Sequence, residues 1–574
     1  MYINQGMEAY DAIVVGSGVS GGWAAKELCE KGLKVLVLER GRNMVHGADY
    51  ITEHKAPWEF PNRGRVYDRK TREANPLMDR EPGLFNETTG HFFVADQEQP
   101  YVQDAPFTWL RGYMLGGRSV TWGRQCYRWS DLDFEANARD GHGVDWPIRY
   151  KDIAPWYAHV ERYIGVSGEK LGLPQLPDGE FLPPMELNAV EKHTRDRIQS
   201  AFPGRHMTVG RVAILTQAHN GRAACHYCGP CARGCSTGSY FSSLSVTLPA
   251  AAATGNLTIR PNSVVHSVVY DEQTNRASGV RVIDAESLEE TEYRAKIVFL
   301  CASTLGTTQI LLNSTSRSFP NGLANSSGAL GKYLMDHHFR VGATAVMEGF
   351  DDRYYVGNRP NGIYVPRFRN ISRETRHPDF VRGYGFQGGA SRASWGRGNG
   401  IPGFGAELKK TLRDPGPWGW WLGGWGEALP REDNTVTLDP DQTDRWGMPL
   451  LRIDCTWGPN ELAMRKDIRS SAAEMLAAAG GKNINTFDEF ETNGANGAAA
   501  PGLCIHEMGT ARMGRDPKTS VLNGNNQAHD VPNLFVTDGS CMTSAANQNP
   551  SITYMALTAR AANFAVEEMK KMNL

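Results

Sequence analysis

The first hydrophobic segment of the chain spans residues 10–16 and is almost continuously apolar. A short apolar run that ends at a glycine is typical of a buried strand in a parallel sheet. A helix is predicted to follow from Gly21 to Lys31, because Gly32 is a typical helix terminator. Residues 34–39 are again apolar and predict the next strand, so the chain opens with a β-α-β unit.

Later segments carry both strand-like and helix-like patterns. Residues 257–300 alternate apolar and polar positions, as strands do, and residues 340–460 form aromatic-rich segments that predict an antiparallel sheet. Residues 46–110 are polar, contain prolines and predict an irregular lid or subdomain. Helices are predicted at 307–313, 468–479 and 552–571, and a strand at 533–537.

The two kinds of pattern predict a fold of α/β plus α+β class. A Rossmann-like domain would accompany a second domain built on an antiparallel sheet. A chain of 574 residues is too long for a single hydrophobic core. The Rossmann-like domain is predicted to be discontinuous, over residues 1–45, 105–170, 225–335 and 500–574. The lid and substrate-binding domain is predicted over residues 46–104, 171–224 and 336–499.

The composition is that of an ordinary soluble globular protein, with 40% hydrophobic and 22% charged residues. The net charge of −2 gives no long-range attraction to nucleic acid or to an anionic membrane surface. No apolar run reaches the length of about 18 residues that a transmembrane helix needs. The polar start of the chain, up to Tyr10, leaves no room for a signal peptide, so we expect a cytoplasmic protein unless a partner carries the export signal.

Three glycines follow the first strand in the spacing of a dinucleotide-binding loop: Gly16, Gly18 and Gly21. Glycines there permit a tight turn and a close approach of the backbone to a pyrophosphate, which the N-terminus of the next helix attracts. Glu39 ends the second strand, where a carboxylate accepts hydrogen bonds from a ribose 2′-hydroxyl. The alternative is a plain glycine-rich turn, and the motif alone does not separate NAD from FAD.

Five further segments carry a resemblance to a known family. They are residues 111–119, residues 300–303 with 311–314, residues 335–338, residues 533–540 and residues 549–551. With the opening β-α-β unit, they resemble the glucose–methanol–choline oxidoreductase family from end to end. Within that family the chain looks most like the large flavoprotein subunits of bacterial sugar dehydrogenases, of the glucoside 3-dehydrogenase or gluconate 2-dehydrogenase type, and like pyranose oxidases.

The resemblance implies that the discontinuous domain binds FAD. The further cofactor-binding residues that it implies are Gly116, Gly117, Ser119, Val264, Asp538, Gly539 and Asn549. Of these, Val264 resembles a backbone contact to adenine, and Asp538 and Gly539 resemble residues near the ribityl chain and pyrophosphate. In pyranose oxidases a histidine of the flavin loop is joined covalently to the flavin. The matching residue here is Thr121, so we expect non-covalent FAD.

Alcohol oxidation requires a base for the hydroxyl proton and an acceptor for the hydride. A neutral histidine suits the base, because its pKa lies near working pH. Residues 502–514 are similar to the family's catalytic-histidine segment, which makes His506 the candidate base. The partner position, histidine or asparagine in relatives, is Asn549, whose amide can hold the substrate hydroxyl. The alternative for His506 is a buried structural histidine, and the tandem His337-His338 is interpreted as structural or as lining the domain boundary.

Four of the ten cysteines lie within eleven residues: Cys225, Cys228, Cys231 and Cys235. Their spacing, C-x2-C-x2-C-x3-C, is that of bacterial ferredoxin ligands and predicts an iron–sulfur cluster of 4Fe–4S or 3Fe–4S type. In two-cluster ferredoxins the fourth cysteine serves the other cluster, so the role of Cys235 stays open. The alternatives are a zinc site, which normally uses two separated cysteine pairs, and disulfides, which such short loops would strain. The other six cysteines are expected to be small buried residues.

A cluster beside a flavin favours a dehydrogenase, because a cluster can pass electrons singly to a haem protein. We therefore expect an FAD-dependent dehydrogenase that oxidises a secondary hydroxyl of a sugar or glycoside, at C2 or C3, to a ketone. Electrons would leave through the cluster to a cytochrome c. The resembling sugar dehydrogenases imply a small subunit that carries an export signal, and hence a periplasmic location. The alternative is a sugar oxidase that reduces oxygen to hydrogen peroxide and uses the cysteine loop only structurally.

Overall fold

The computed structural model describes residues 4–5, 9–355, 357–494 and 497–574 of the chain. Residues 1–3 and 6–8, which belong to the polar N-terminal segment considered above, lie outside the described residues. The strands are β1 Asn4–Gln5, β2 Tyr10–Val15, β3 Val35–Leu38, β4 Val102–Gln103, β5 Val166–Ser167, β6 Phe181–Leu182, β7 Thr208–Val209, β8 Leu257–Arg260, β9 Ser263–Asp271, β10 Arg276–Asp284, β11 Glu290–Leu300, β12 Lys332–Met335, β13 Val341–Met347, β14 Ile363–Val365, β15 Tyr384–Arg392, β16 Trp418–Gly426, β17 Thr435–Thr443, β18 Pro449–Asp454, β19 Lys482–Asp488, β20 Met508–Thr510 and β21 Leu534–Val536. The α-helices are α1 Val19–Glu30, α2 Arg69–Ala74, α3 Asp131–Phe134, α4 Ala136–Asp140, α5 Tyr150–Ile164, α6 Ala189–Ala201, α7 Leu248–Ala253, α8 Thr304–Asn313, α9 Gly405–Arg413, α10 Pro459–Ala478, α11 Glu489–Asn493 and α12 Ser551–Lys570.

The predicted β-α-β unit lies at the centre of a parallel sheet. Its strands follow the order β8-β3-β2-β11-β21, and Ala12 of β2 lies beside Val35 of β3. Alternate residues of β2 enter different buried clusters: Val14 packs with residues of α1 and α12, and Ile13 packs in the cluster on the other face. Both faces of the sheet are covered, which explains why the strand is continuously apolar.

A six-stranded antiparallel sheet, in the order β19-β13-β16-β15-β14-β7, forms a second core. β16 carries an aromatic run in which Trp418, Trp420 and Leu422 are buried in one cluster with residues of α10. Trp421 points to the opposite face and is 41% exposed. The predicted fold class, a parallel α/β sheet with a separate antiparallel sheet, is confirmed, whereas the predicted domain boundaries stay a prediction.

Helix α10 begins at Pro459, well before the predicted start at residue 468. Proline fits the first turn of a helix, and the carboxylate of Glu461 accepts a hydrogen bond from the N–H of Gly458 at 2.7 Å. Capping rather than hydrophobic periodicity sets this boundary. None of the helices in the described residues is both long and apolar enough to cross a bilayer.

A third sheet, in the order β20-β12-β17-β18-β4, brings distant parts of the chain together. Met335, at the end of β12, pairs antiparallel with Met508, at the start of β20. Continuing this register by two residues sets His337 opposite His506, although 168 residues separate them in sequence. The sheet thus positions the candidate catalytic segment.

Candidate active site

The loop between β2 and α1 forms the first wall of the site. Gly16 has a φ of +94°, and a Cβ there would lie 2.4 Å from the carbonyl oxygen of Cys301. A Cβ on Gly21 would lie 1.8 Å from the carbonyl oxygen of Gly16. A Cβ on Gly18 would meet nothing within 4 Å, and this residue lines the cavity described below. Two of the glycines therefore close the turn, and the third faces open space.

Glu39 lies beside this loop, directly after β3, and is buried. Its carboxylate accepts hydrogen bonds from the N–H of Ser17 at 3.1 Å, the hydroxyl of Ser17 at 2.5 Å and the N–H of Gly41 at 2.8 Å. Burial raises the pKa of this carboxyl above its ordinary value. The side chain is thus held firmly at the cavity wall, and its contact to a ribose stays a prediction.

Gly116 and Gly117 form a second turn, which packs on the first. Both have left-handed backbones, with φ of +89° and +52°. The N–H of Gly116 donates to the hydroxyl of Ser17 at 2.9 Å, and a Cβ on Gly117 would lie 3.3 Å from the Cα of Gly18. Ser119 follows in the same turn and lines the cavity. The two glycine loops, distant in sequence, therefore form one surface.

The segment after β21 supplies a third wall. The buried carboxylate of Asp538 accepts a hydrogen bond from the hydroxyl of Thr307 at 2.5 Å, and burial raises its pKa. A Cβ on Gly539 would lie 2.4 Å from both the carbonyl oxygen of Glu507 and the hydroxyl oxygen of Thr304. This close approach requires glycine and ties the segment to the residues around His506.

A cavity of about 390 Å³ connects these walls to His506. The sequence-predicted residues that line it are Gly16, Gly18, Glu39, Gly117, Ser119, His506, Asp538, Gly539 and Asn549. Gly21 and Gly116 lie behind the lining residues. Val264 also lies behind the wall, in a buried cluster with Trp446, while its neighbours Ser263 and Val265 line the cavity.

His506 and Asn549 meet in this cavity. The amide nitrogen Nδ2 of Asn549 donates to Nε2 of His506 at 3.4 Å. The amide oxygen of Asn549 accepts a hydrogen bond from Gln387 of β15 at 2.8 Å, which fixes the orientation of the amide. Burial lowers the pKa of His506 well below its ordinary value, so the ring is neutral, as a base must be.

Asp336 and His337 are neighbours of the site that the sequence patterns did not place there. The carboxylate of Asp336 accepts hydrogen bonds from the N–H groups of Gly502 at 2.8 Å, Cys504 at 3.2 Å and His506 at 3.1 Å. Nδ1 of His337 lies 2.8 Å from Nδ1 of His506. The signal available in the sequence was the family-like segment at residues 335–338, which predicts no contact by itself.

Arg118 and Glu507 link the second glycine loop to the His506 segment. Two guanidinium nitrogens of Arg118 donate to the two carboxylate oxygens of Glu507, each at 3.0 Å. Burial, with a contribution from the nearby Glu507, raises the pKa of Asp336 to about 8. Glu507 therefore lies close to both Arg118 and Asp336.

Cys504 was expected to be a small buried residue, but it is only partly buried and lines the cavity. Its sulfur lies 3.3 Å from Nδ1 of His506. Within the described residues, Cys504, His337 and His506 have potential ligand atoms that all lie within 4.8 Å of one another. The direct hydrogen bond between the two rings accounts for this grouping without an ion.

The four clustered cysteines line a second pocket of about 20 Å³, and none of them forms a disulfide. The N–H of Tyr227 donates to the sulfur of Cys225 at 3.4 Å. In the described part of the chain, no three of the four sulfurs lie within 4.8 Å of one another.

Tyr240 stands between the cysteine pocket and the large cavity. Its ring lines the cysteine pocket, and its hydroxyl donates to the carbonyl oxygen of Ser119 at 3.3 Å. Ser119 and Arg124 line the large cavity, and the guanidinium of Arg124 lies 4.8 Å from the centroid of the Tyr240 ring. Tyr240 thus connects the walls of the two pockets.

Some polar groups on the wall of the large cavity lack partners. The hydroxyl of Tyr554 and two guanidinium nitrogens of Arg111 are buried with no hydrogen-bond partner among the described residues. Unpaired buried donors cost free energy unless a ligand satisfies them. The cavity therefore fits an oxygen-rich ligand that reaches the N-terminus of α1, as a dinucleotide does.

Comparison with known proteins decides which dinucleotide the cavity fits. Two family models described as GMC oxidoreductase match the chain, one over residues 10–339 and the other over residues 430–558. The chain belongs to the GMC oxidoreductase family. The family predicted from the motifs is thereby confirmed, and with it FAD as the cofactor that the cavity fits.

Individual GMC relatives match over almost the whole chain. The chain is 32% identical to 2-methyl-1,2-propanediol dehydrogenase of Mycolicibacterium austroafricanum, over 96% of this chain and 94% of that protein. It is 23% identical to the fructose dehydrogenase large subunit of Gluconobacter japonicus, over 98% of each. Its fold is similar to that of formate oxidase from Aspergillus oryzae, with a TM-score of 0.61 at 15% identity and with 100% of both chains covered. This GMC protein is an FAD-dependent oxidoreductase that acts on alcohol or sugar hydroxyls.

Proposed function

We propose that this GMC oxidoreductase is a dehydrogenase that oxidises a secondary hydroxyl of a sugar or glycoside to a ketone. The observation that carries the proposal is the contact of Nε2 of His506 with the amide of Asn549 inside the FAD cavity. One relative named for a sugar substrate, the fructose dehydrogenase large subunit, matches over 98% of its length. Thr121, Arg124 and Gln125 line the same cavity and offer donors and acceptors for further substrate hydroxyls.

In this proposal His506 is the base and Asn549 orients the substrate. The substrate oxygen accepts a hydrogen bond from Nδ2 of Asn549, and the substrate hydroxyl gives its proton to Nε2 of His506. When bound, FAD supplies the acceptor for the hydride, which leaves the carbon that bears the hydroxyl. That carbon thereby becomes a carbonyl. The residues proposed to hold FAD are Gly16, Gly18, Gly21, Glu39, Gly116, Gly117, Ser119, Val264, Asp538, Gly539 and Asn549.

The variant His506→Ala tests the base. We expect flavin reduction by substrate to slow by about 10²–10⁴-fold, the range for loss of a positioned base. The measurement is anaerobic bleaching of the flavin absorbance with fructose, gluconate, methyl glucoside and 2-methyl-1,2-propanediol. His142→Ala, on an exposed turn, is the control and should bleach like the wild type. A wild-type rate in His506→Ala would overturn the assignment of His506 as the base. Bleaching by 2-methyl-1,2-propanediol alone would overturn the proposal that the substrate is a sugar.

We further propose that Cys225, Cys228, Cys231 and Cys235 hold an iron–sulfur cluster of 3Fe–4S or 4Fe–4S type. The support is the ferredoxin-like spacing, the small pocket that all four cysteines line and the N–H donor to Cys225. The contact of Tyr240 with Ser119 on the wall of the FAD cavity also suits electron transfer. When bound, a cluster supplies one-electron transfer.

A haem acceptor and a second subunit complete the proposal. The relative from Gluconobacter japonicus is the large subunit of its enzyme, which supports a small partner subunit here. We propose that such a partner carries the export signal, that a cytochrome c accepts the electrons and that the enzyme is periplasmic. Without such a partner the enzyme would be cytoplasmic, and rapid oxygen consumption with substrate and no added acceptor would instead favour a sugar oxidase.

A further inference from the structure

A chain of hydrogen bonds passes through His506, and its first member is His337. Nε2 of His337 lies 3.0 Å from the carbonyl oxygen of Ala546 and 3.3 Å from that of Ala545. Carbonyl oxygens only accept, so Nε2 of His337 carries a proton. Burial lowers the pKa of His337 to about 4, so the ring is neutral at working pH and its Nδ1 is unprotonated.

The unprotonated Nδ1 of His337 determines which nitrogen of His506 carries the proton. The two Nδ1 atoms lie 2.8 Å apart, so Nδ1 of His506 must be the donor. A neutral imidazole has one N–H, and Nε2 of His506 is therefore unprotonated. The other end of this series of hydrogen bonds agrees with that assignment. Gln387 donates to the oxygen of Asn549, which leaves the amide nitrogen of Asn549 to donate to Nε2 of His506.

We propose that His337 is a positioning residue that fixes His506 in the tautomer whose Nε2 can accept the substrate proton. This inference rests on the proposed function, in which His506 is the base. Once His506 has accepted a proton, its Nδ1–H still donates to His337. His337 then has the role that a carboxylate has beside the catalytic histidine of serine hydrolases, holding the ring and stabilising its charged form.

Backbone conformation on both sides of the contact supports the proposal. Ile505, before His506, has a φ of 63°, and Ala546, which offers its carbonyl to His337, has a φ of 54°. Left-handed backbone at residues other than glycine persists where the surrounding structure imposes it, and such residues cluster at functional sites. The other acceptor near Nδ1 of His506 is the sulfur of Cys504 at 3.3 Å, but a thiol sulfur accepts weakly.

The variants His337→Leu and His337→Gln test the proposal by kinetics. Leucine removes the acceptor for the Nδ1–H of His506. The proton of that ring can then move to Nε2 instead. We expect flavin reduction to slow by about 10–100-fold, the range known for loss of a partner that orients a metal-bound histidine, with little change in KM. Glutamine offers an oxygen to His506 and an N–H to Ala546, and should restore most of the rate.

The control is His338→Leu, the same substitution one residue further on. His338 is equally buried, but its ring packs on Gly426 and Trp457 and makes no hydrogen bond to His506 among the described residues. We expect its flavin reduction to match the wild type. FAD content and thermal midpoint are measured for every variant, so that misfolding is distinguished from a loss of rate.

The second measurement does not depend on turnover. In FAD-loaded, deuterated protein with ¹⁵N-labelled histidine, NMR distinguishes protonated from unprotonated ring nitrogens, and His506→Ala identifies the resonances of His506. We expect the wild type to have Nδ1 protonated and Nε2 unprotonated, and His337→Leu to shift the population toward protonated Nε2.

The outcomes separate this inference from the proposed function. A wild-type His506 protonated on Nε2, or wild-type flavin reduction in His337→Leu while His506→Ala is inactive, would overturn the positioning role alone. Wild-type flavin reduction in His506→Ala would overturn the proposed function instead. Loss of rate in His337→Leu, recovery in His337→Gln and the expected tautomer together support the inference.

Discussion

At the scale of single residues, His337 links the chemistry of the site to the stability of the protein. Burial lowers its pKa to about 4 from the ordinary 6.5. Between these values the unfolded chain binds a proton that the folded chain excludes, so stability from this group is lost as pH falls from 6.5 to about 4. The slope is up to about 1.4 kcal/mol per pH unit for one residue.

We expect His337→Leu to remove that contribution. Denaturant unfolding of the FAD-loaded protein at a series of pH values measures the slope of the unfolding free energy against pH for wild type and variant. Below pH 6.5 the unfolding free energy of the variant should depend less steeply on pH. The difference in slope corresponds to the uptake of up to one proton fewer on unfolding. Equal slopes would show that this ring is charged in the folded protein.

The sequence predicts some of these residues better than others. The segments around His506 and Asn549 resemble family motifs, and both side chains lie together in the cavity, although their roles stay predictions. The contact between His337 and His506 could not be predicted, because it depends on the register of β12 against β20, which local patterns do not encode. Cys504 is similar: a lone cysteine carries no signal of the histidine beside it.

At the scale of elements, the turn between β2 and α1 is set by glycines with different tasks. A Cβ added to Gly16 or to Gly21 would lie within 2.4 Å of a backbone oxygen, so substitution there disturbs the turn itself. Gly18 has open space beside it, and in a dinucleotide fold the second glycine allows the pyrophosphate to approach the backbone. Gly18→Ala should therefore fold normally but bind FAD at least about tenfold more weakly, a loss of about 1.4 kcal/mol.

The control for Gly18→Ala is Gly204→Ala. Gly204 also has nothing within 4 Å of a Cβ, but it is exposed and does not line the cavity. FAD titration of the apoproteins, followed by flavin fluorescence, measures the affinities, and circular dichroism checks the fold. Equal FAD affinities in the two variants would contradict the role of Gly18.

Element boundaries were predictable where hydrophobic pattern sets them. β2 and β3 match the predicted strands closely, because both faces of a parallel sheet demand apolar residues. The start of α10 was missed, because the proline and the glutamate cap that set it lie outside the apolar pattern. The antiparallel sheet was predicted in kind, but its strand order was not, since β7 and β13–β16 pair through contacts between distant segments.

At the scale of the whole molecule, the arrangement of the two pockets matters more than either pocket alone. The cysteine spacing predicts a ligand set, but the sequence carries no distance between that set and the FAD site. The fold places Tyr240 between them, in contact with Ser119 of the cavity wall. Electron transfer between cofactors requires proximity. The proposed role of the cysteine loop in electron transfer can therefore be tested by removing one of its cysteines.

The variant Cys231→Ala tests that arrangement, with Cys29→Ala as its control. Cys231 lines the small pocket, whereas Cys29 is buried in α1, away from it. We expect Cys231→Ala to lose iron but keep FAD and wild-type flavin reduction by substrate, because the FAD cavity and His506 are untouched. Its reduction of cytochrome c should then fall, while Cys29→Ala keeps both iron and cytochrome c reduction. Two outcomes would contradict the proposal: no iron in wild-type protein after anaerobic purification, or normal reduction of cytochrome c by Cys231→Ala. Either would indicate that the cysteine loop is a structural element and would favour direct reaction of the flavin with oxygen.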